Sequence, residues 1–249
     1  MRKRILIAGE SYVAFSNHMK GIDSFATTEY VEGVRWLKGA LEAKDWSVTH
    51  MPTHVAARDF PATEAALKDF DCVLLSDIGA NTLLLHPDTV TKSTVMPNRL
   101  HGIRDYVKSG GGLVMSGGWL SFQGFEAKAQ YAGSAVEEAL PVTLLRYDDR
   151  IEAPQGVKAK LLTDHPIVTG IGPDWPVLLG HNQVSVKAGA TLIATADAQP
   201  LLVAGTFGKG RSVAFTSDCA PHWAPTIFID WPGFALLWNG ITEWAAGFR

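Results

Sequence analysis

Four short apolar runs, each bounded by a turn residue, most constrain what this chain can fold into. They are Ile5-Leu6-Ile7-Ala8, Ser47-Val48-Thr49-His50-Met51, Asp71-Cys72-Val73-Leu74-Leu75-Ser76-Asp77 and Leu113-Val114-Met115-Ser116. Short apolar runs bounded by turn residues read as strands buried on both faces, the pattern of a parallel sheet. The segments between them read as helices. Tyr30, Val31, Val34, Leu37 and Leu41 fall at helical spacing over residues 28–43. Pro61 to Phe70 reads as a short helix with Pro61 in its first turn, and 98–108 as a helix closed by Ser109-Gly110-Gly111-Gly112. This β-α-β alternation predicts a doubly wound α/β sheet, with right-handed crossovers placing helices on both faces.

The second half changes character. Pro141 to Tyr147 and Thr191 to Ala196 read as strands. Leu201–Phe207 and Arg211–Ser217 flank Gly208-Lys209-Gly210, a hairpin expected to extend the sheet antiparallel at one edge. Phe234, Leu237, Trp238, Ile241 and Trp244 form the stripe of a closing helix. With no Pro/Ser-rich linker and no repeat, residues 1–249 read as one domain.

Composition narrows the partners. Hydrophobic residues at 47% against 19% charged supply a core and exclude a disordered chain. Twenty-two basic residues balance 25 acidic ones with no basic block, so no nucleic-acid partner is expected. The longest apolar runs fall short of the ~18 residues of a membrane span, so no membrane partner is expected either. Arg2-Lys3-Arg4 precedes only four apolar residues, fewer than the ~7–15 of a signal peptide. Two cysteines cannot staple a secreted scaffold, and a cytoplasmic location is expected. Five of the eight tryptophans follow residue 174, which leaves room for an aromatic interface. A homo-oligomer of closed symmetry is the default expectation.

Open α/β sheets bind ligands at the carboxyl ends of their strands. Gly9-Glu10-Ser11, Asp77-Ile78-Gly79-Ala80-Asn81, Ser116-Gly117-Gly118-Trp119 and the loop Ser217 to Trp223 should meet there. Glu10, Asp77 and His222 are the expected acid/base groups. Clustered carboxylates disfavour ionisation of one of them, whereas a His222 imidazolium would favour it, so the charge balance should turn on His222. Gly117 and Gly118 should form a floor with backbone N–H donors. Ser11, Asn81, Gln123 and Asp218 are candidate polar contacts, Trp119 and Trp223 candidate walls. His18 should fold in from a long first loop, residues 9 to about 27.

The turn at Ser116-Gly117-Gly118 resembles a nucleophile elbow, with Ser116 as a candidate nucleophile. A Cys219 thiolate beside His222 is the alternative, although free cysteine is more often an inert apolar residue, and Cys72 reads as core. Glu10 and His18 with His222 or Asp77 offer metal ligands but no dense motif, so a metal is left open. Neither GxGxxG nor GxxxxGK[ST] occurs, and Gly208-Lys209-Gly210 joins two strands, so no cofactor is expected.

Longer stretches carry a resemblance. Gly9-Glu10-Ser11, His18 to Asp23, Ser76 to Asn81, Gly110 to Gly124, Leu140-Pro141-Val142 and Asp148 to Glu152 resemble the putative glutamine amidotransferase family of bacterial cytoplasmic proteins. That family lies within the class I glutamine amidotransferase-like superfamily, which implies a flavodoxin-like fold. His165 to Gly170 and Gly208 to Arg211 are similar to segments of trehalose-utilisation (ThuA-like) proteins. A class I glutaminase uses an elbow cysteine with a late His-x-Glu pair. Here the elbow is Ser116 or Gly117, and His222 is followed by Trp223 and Ala224. Without that thiolate the acyl-enzyme route to ammonia is closed. The remaining expectations are an enzyme acting on a polar small molecule such as a sugar derivative, a non-catalytic ligand-binding or assembly protein, or an amidotransferase using Ser116 or Cys219.

Overall fold

In the computed structural model, which describes residues 2–249, the first strand β1 (Lys3–Gly9) is followed by a hairpin of β2 (Ser11–Lys20) and β3 (Asp23–Glu32). Then come α1 (Arg35–Glu42), β4 (Trp46–Met51), α2 (Thr53–Asp59), α3 (Glu64–Leu67) and β5 (Cys72–Ser76). Helices α4 (Ala80–Leu84), α5 (Pro87–Lys92) and α6 (Arg99–Ser109) lead to β6 (Gly112–Ser116). The second half holds α7 (Ala135–Ala139), β7 (Val142–Leu144), β8 (Arg150–Val157), β9 (Ala159–Leu161), β10 (Leu178–Asn182) and β11 (Val184–Val186). It closes with β12 (Thr191–Ala196), β13 (Gln199–Phe207), β14 (Gly210–Phe215), α8 (Thr226–Ile229) and α9 (Pro232–Ala245).

The main sheet runs β4-β1-β5-β6-β14-β13-β12-β9. The pairs β4–β1, β1–β5, β5–β6 and β6–β14 are parallel. Counted among themselves, these five strands have the order 2-1-3-4-5, the flavodoxin-like arrangement, whose winding reverses between β1 and β5. The expected hairpin forms, with β14 joined parallel to β6 and β13 antiparallel to β14, but the antiparallel part is wider than one hairpin because β12 and β9 lie beyond it. Pro141 precedes the short β7, which stands outside the main sheet and pairs with β11.

Successive residues of a strand face opposite sides, and here both sides are apolar. Ile5, Ile7, Cys72, Leu74 and Val114 face a cluster with Leu37 and Leu41 of α1 and Leu237, Trp238 and Ile241 of α9. Leu6, Ala8, Val73, Leu75, Leu113 and Met115 face a second cluster with Ala56, Leu67, Leu83, Ile103 and Val107. No helix among the described residues is long and apolar enough to cross a membrane.

Two expectations fail over residues 9–43. The long first loop is the β2–β3 ribbon, and the helix expected over 28–43 begins only at Arg35. Thr27, Thr28, Tyr30 and Val31 favour a strand, and Gly33 breaks the chain before the helix. Helix α3 is shorter than Pro61–Phe70, capped by the Thr63 hydroxyl accepting from the Ala66 amide at 3.3 Å.

Candidate functional site

Strands β1 and β5 end side by side at the point where the winding reverses. Gly9 has φ 107°, and a Cβ there would lie 1.8 Å from the Ser76 carbonyl oxygen, so only glycine lets the strands finish this close. The next residue, Glu10, has φ 51°, and Asp77 after β5 has φ 46°. Left-handed backbone at non-glycine residues is strained and concentrates at functional sites. After β6 the left-handed residue is Gly118, at φ 148°, so neither Ser116 nor Gly117 is the strained, presented residue of an elbow.

Glu10, Asp77, Asp218 and His222 line one cleft of about 740 Å³, together with Trp36, Trp119 and the roots of the β2–β3 ribbon. Glu10 is buried. Its Oε1 accepts from Ser76 Oγ at 2.5 Å and from Cys219 Sγ at 3.4 Å. Burial, and secondarily the Asp77 charge, push its carboxyl up to about 7, against those two hydrogen bonds. Burial also raises Asp77, opposed by the Leu120 amide, which donates to Oδ1 at 2.7 Å, and by His222. Asp218 is held well above the usual carboxylate range by burial and then by Glu10 and Asp77. Three acids therefore share fewer than three negative charges at neutral pH.

His222 stands at the rim, with Nδ1 4.0 Å from Asp218 Oδ2. Burial lowers its pKa, so the imidazole is mainly neutral at pH 7. The charge balance thus turns on the carboxylates, contrary to the expectation for His222. Trp119 meets the His222 ring edge-on at 4.8 Å, and Trp223 stacks on it at 5.3 Å. Trp223 is fully buried, so it backs His222 instead of walling the cleft. Both indole N–H groups donate to Glu152, at 3.1 and 2.9 Å.

Other expected residues serve elsewhere. His18 is exposed on the ribbon, stacked on Phe25 at 4.7 Å, and does not reach the cleft. Ser116 is buried and donates to the Ser217 carbonyl at 3.2 Å. The Gly117 amide donates to the Phe215 and Ser217 carbonyls, and that of Gly118 to Asn182 Oδ1 at 3.0 Å. These amides are engaged within the protein and do not form the expected donor floor. Gln123 is buried in its own loop, its Oε1 accepting from the Ala132 amide, and Asn81 bonds Gln130 at the surface. Ser11 lines the cleft but is tied to the start of α2, accepting from the Thr53 amide at 2.7 Å.

Sequence reasoning missed Ser76 as a partner of Glu10 and the frame behind Gly118. In that frame Asn182 donates to Asp149 at 2.8 Å, and Asp149 accepts the Gln123 and Gly124 amides. Asp149 lies in the quoted stretch Asp148 to Glu152, the one available signal. Ligand atoms of Glu10, Asp218 and Cys219 lie within 4.8 Å of one another, a spacing that suits a cation. Burial and the neighbouring acids raise the Cys219 thiol, so a metal there would first have to displace its proton. The same shift disfavours the thiolate that a nucleophile requires.

The family model described as Putative glutamine amidotransferase matches residues 4–246. Cytoplasmic Protein STM3548 from Salmonella typhimurium superposes with a TM-score of 0.94 at 40% identity, over 97% of this chain and 98% of that one. Cytoplasmic Protein STM1381 from Salmonella typhimurium LT2 gives 0.94 at 41% identity, over 97% and 99%. A thua-like protein from Parabacteroides merdae shares the fold alone, with a TM-score of 0.59 at 14% identity over 99% and 90%. No curated protein matches the chain significantly.

Proposed function

Because this chain belongs to the Putative glutamine amidotransferase family, we propose that it is an acid/base enzyme of that fold, without the elbow cysteine, acting on a polar, hydroxylated small molecule such as a sugar derivative. One observation carries the reading: Glu10, Asp77, Asp218 and His222 converge on one cleft at the reversal point of the sheet, with Glu10 titrating near 7. Acid/base pairs arise where environments push the pKa values of neighbouring groups apart. Glu10, whose carboxyl burial carries up to about 7, is the acid. Asp77, steadied by the Leu120 amide, is the base, and His222 accepts a hydrogen bond at the rim. Trp119 and Trp36 offer apolar faces to the C–H side of the ligand. Ser116 does not line the cleft and its hydroxyl donates to the Ser217 carbonyl, so it is given no direct part. A cytoplasmic location is proposed on the strength of the Salmonella relatives known as cytoplasmic proteins.

Proton transfer can be tested before the substrate is named. The protein is incubated in D₂O with a panel of aldoses, ketoses and sugar acids, and deuterium incorporation is followed by NMR. At least one compound should exchange or turn over, with loss of about 10²–10⁴-fold in Glu10→Gln or Asp77→Asn. Compounds that bind in the cleft but never react would replace the enzyme with a binding protein.

A further inference from the structure

The β2–β3 ribbon projects from the sheet with nearly all of residues 12–30 exposed. An isolated two-stranded hairpin is marginally stable in water. The register sorts its side chains onto two faces. Tyr12 pairs with Val31, Ala14 with Glu29, His18 with Phe25 and Lys20 with Asp23, giving a charged face whose root, Tyr12 and Val31, lines the cleft. The opposite face pairs Val13 with Tyr30, Phe15 with Thr28, Asn17 with Ala26 and Met19 with Ser24. Among the described residues it carries no charge from Val13 to Ser24. Phe15 is 79% exposed and Met19 75%, and Ile22 at the tip is fully exposed.

We infer that this uncharged ribbon face packs on the same face of a second copy of the chain, making a two-fold homodimer joined by its arms. Side chains of this size offer ~150–250 Å² each, so the face and the tip expose on the order of 700 Å² per copy. That exceeds what monomers usually leave bare and approaches the ~800 Å² each partner buries in a standard interface. A face without charge meets its own copy without like-charge repulsion, and a two-fold axis lets one patch serve both partners. The charged face remains outside, so Tyr12 and Val31 keep their place in each cleft wall.

Sedimentation equilibrium of the full chain tests this. Wild type should sediment as a dimer, and Phe15→Asp with Met19→Asp should halve the apparent mass with an unchanged circular dichroism spectrum. Ser16→Asp, on the charged face where Ser16 pairs with Thr27, should stay dimeric. A second variant replaces residues 13–30 by a two-glycine turn and should also be monomeric. A monomeric wild type, including one that instead binds phosphatidylcholine vesicles, overturns the inference, as does a dimer that survives either ribbon variant.

Discussion

Glu10 gives the folded state a pH dependence of its own. Its carboxyl rises from the usual 4.5 to about 7 on folding, so between these values the folded state holds a proton that the unfolded chain has lost. Stability therefore falls as pH rises through this window, at most by about 3 kcal/mol. Glu10→Gln should flatten that slope, leaving stability at pH 5 nearly unchanged and raising it at pH 8 relative to wild type, as urea unfolding at the two pH values would report. The neighbouring thiol leads to a second expectation. Cys219 donates to Glu10 and its ionisation is disfavoured, so glutamine should yield no ammonia above background. Ammonia release that disappears in Cys219→Ser would refute this. Glu10 and Asp77 were legible in sequence because each directly follows an apolar strand. Ser76, Asn182 and Asp149 were not, since their bonds join residues 66, 64 and 33 positions apart, and no local pattern records such pairs.

Among the elements, the short helices depend on one buried cation. Arg99, at the start of α6, donates to the carbonyls of Ala56 at 3.0 Å and Ala57 at 2.9 Å in the last turns of α2, and to those of Thr82 and Leu83 in α4. Helix carboxyl ends attract cations, and five N–H donors on one plane can satisfy several orphan carbonyls. Arg99→Ala would take their side-chain donor from the Ala57, Thr82 and Leu83 carbonyls, while the Ala56 carbonyl keeps the Phe60 amide, and should cost about 2–4 kcal/mol in denaturant unfolding with no change in the cleft's titration. The parallel strands were legible because burial on both faces writes continuous apolar runs. The ribbon was not, because a strand exposed on both faces lacks the burial pattern from which strands are read. Its mixed polar and aromatic residues resemble a loop until the register is known.

For the whole molecule, an arm-to-arm dimer would tie stability to concentration. Association with the folded state alone shifts unfolding by mass action, so Tm of the wild type should rise with protein concentration. The Phe15→Asp, Met19→Asp variant should show a Tm independent of concentration across the same dilution series, measured by scanning calorimetry. A wild-type Tm that ignores concentration would count against the dimer. The doubly wound order itself was legible, and it brings the ends of β1 and β5 together at the winding reversal.

The left-handed backbone at Glu10 and Asp77 also bears on how this sequence could drift. Glycine at either position would release strain of order 1 kcal/mol and remove a buried acid in the same step. A library selected only for heat resistance should therefore enrich Glu10→Gly and Asp77→Gly early. The fittest survivors of such a screen would be sturdier proteins with an emptied cleft, and persistence of the two acids in any lineage reports a selection other than for folding.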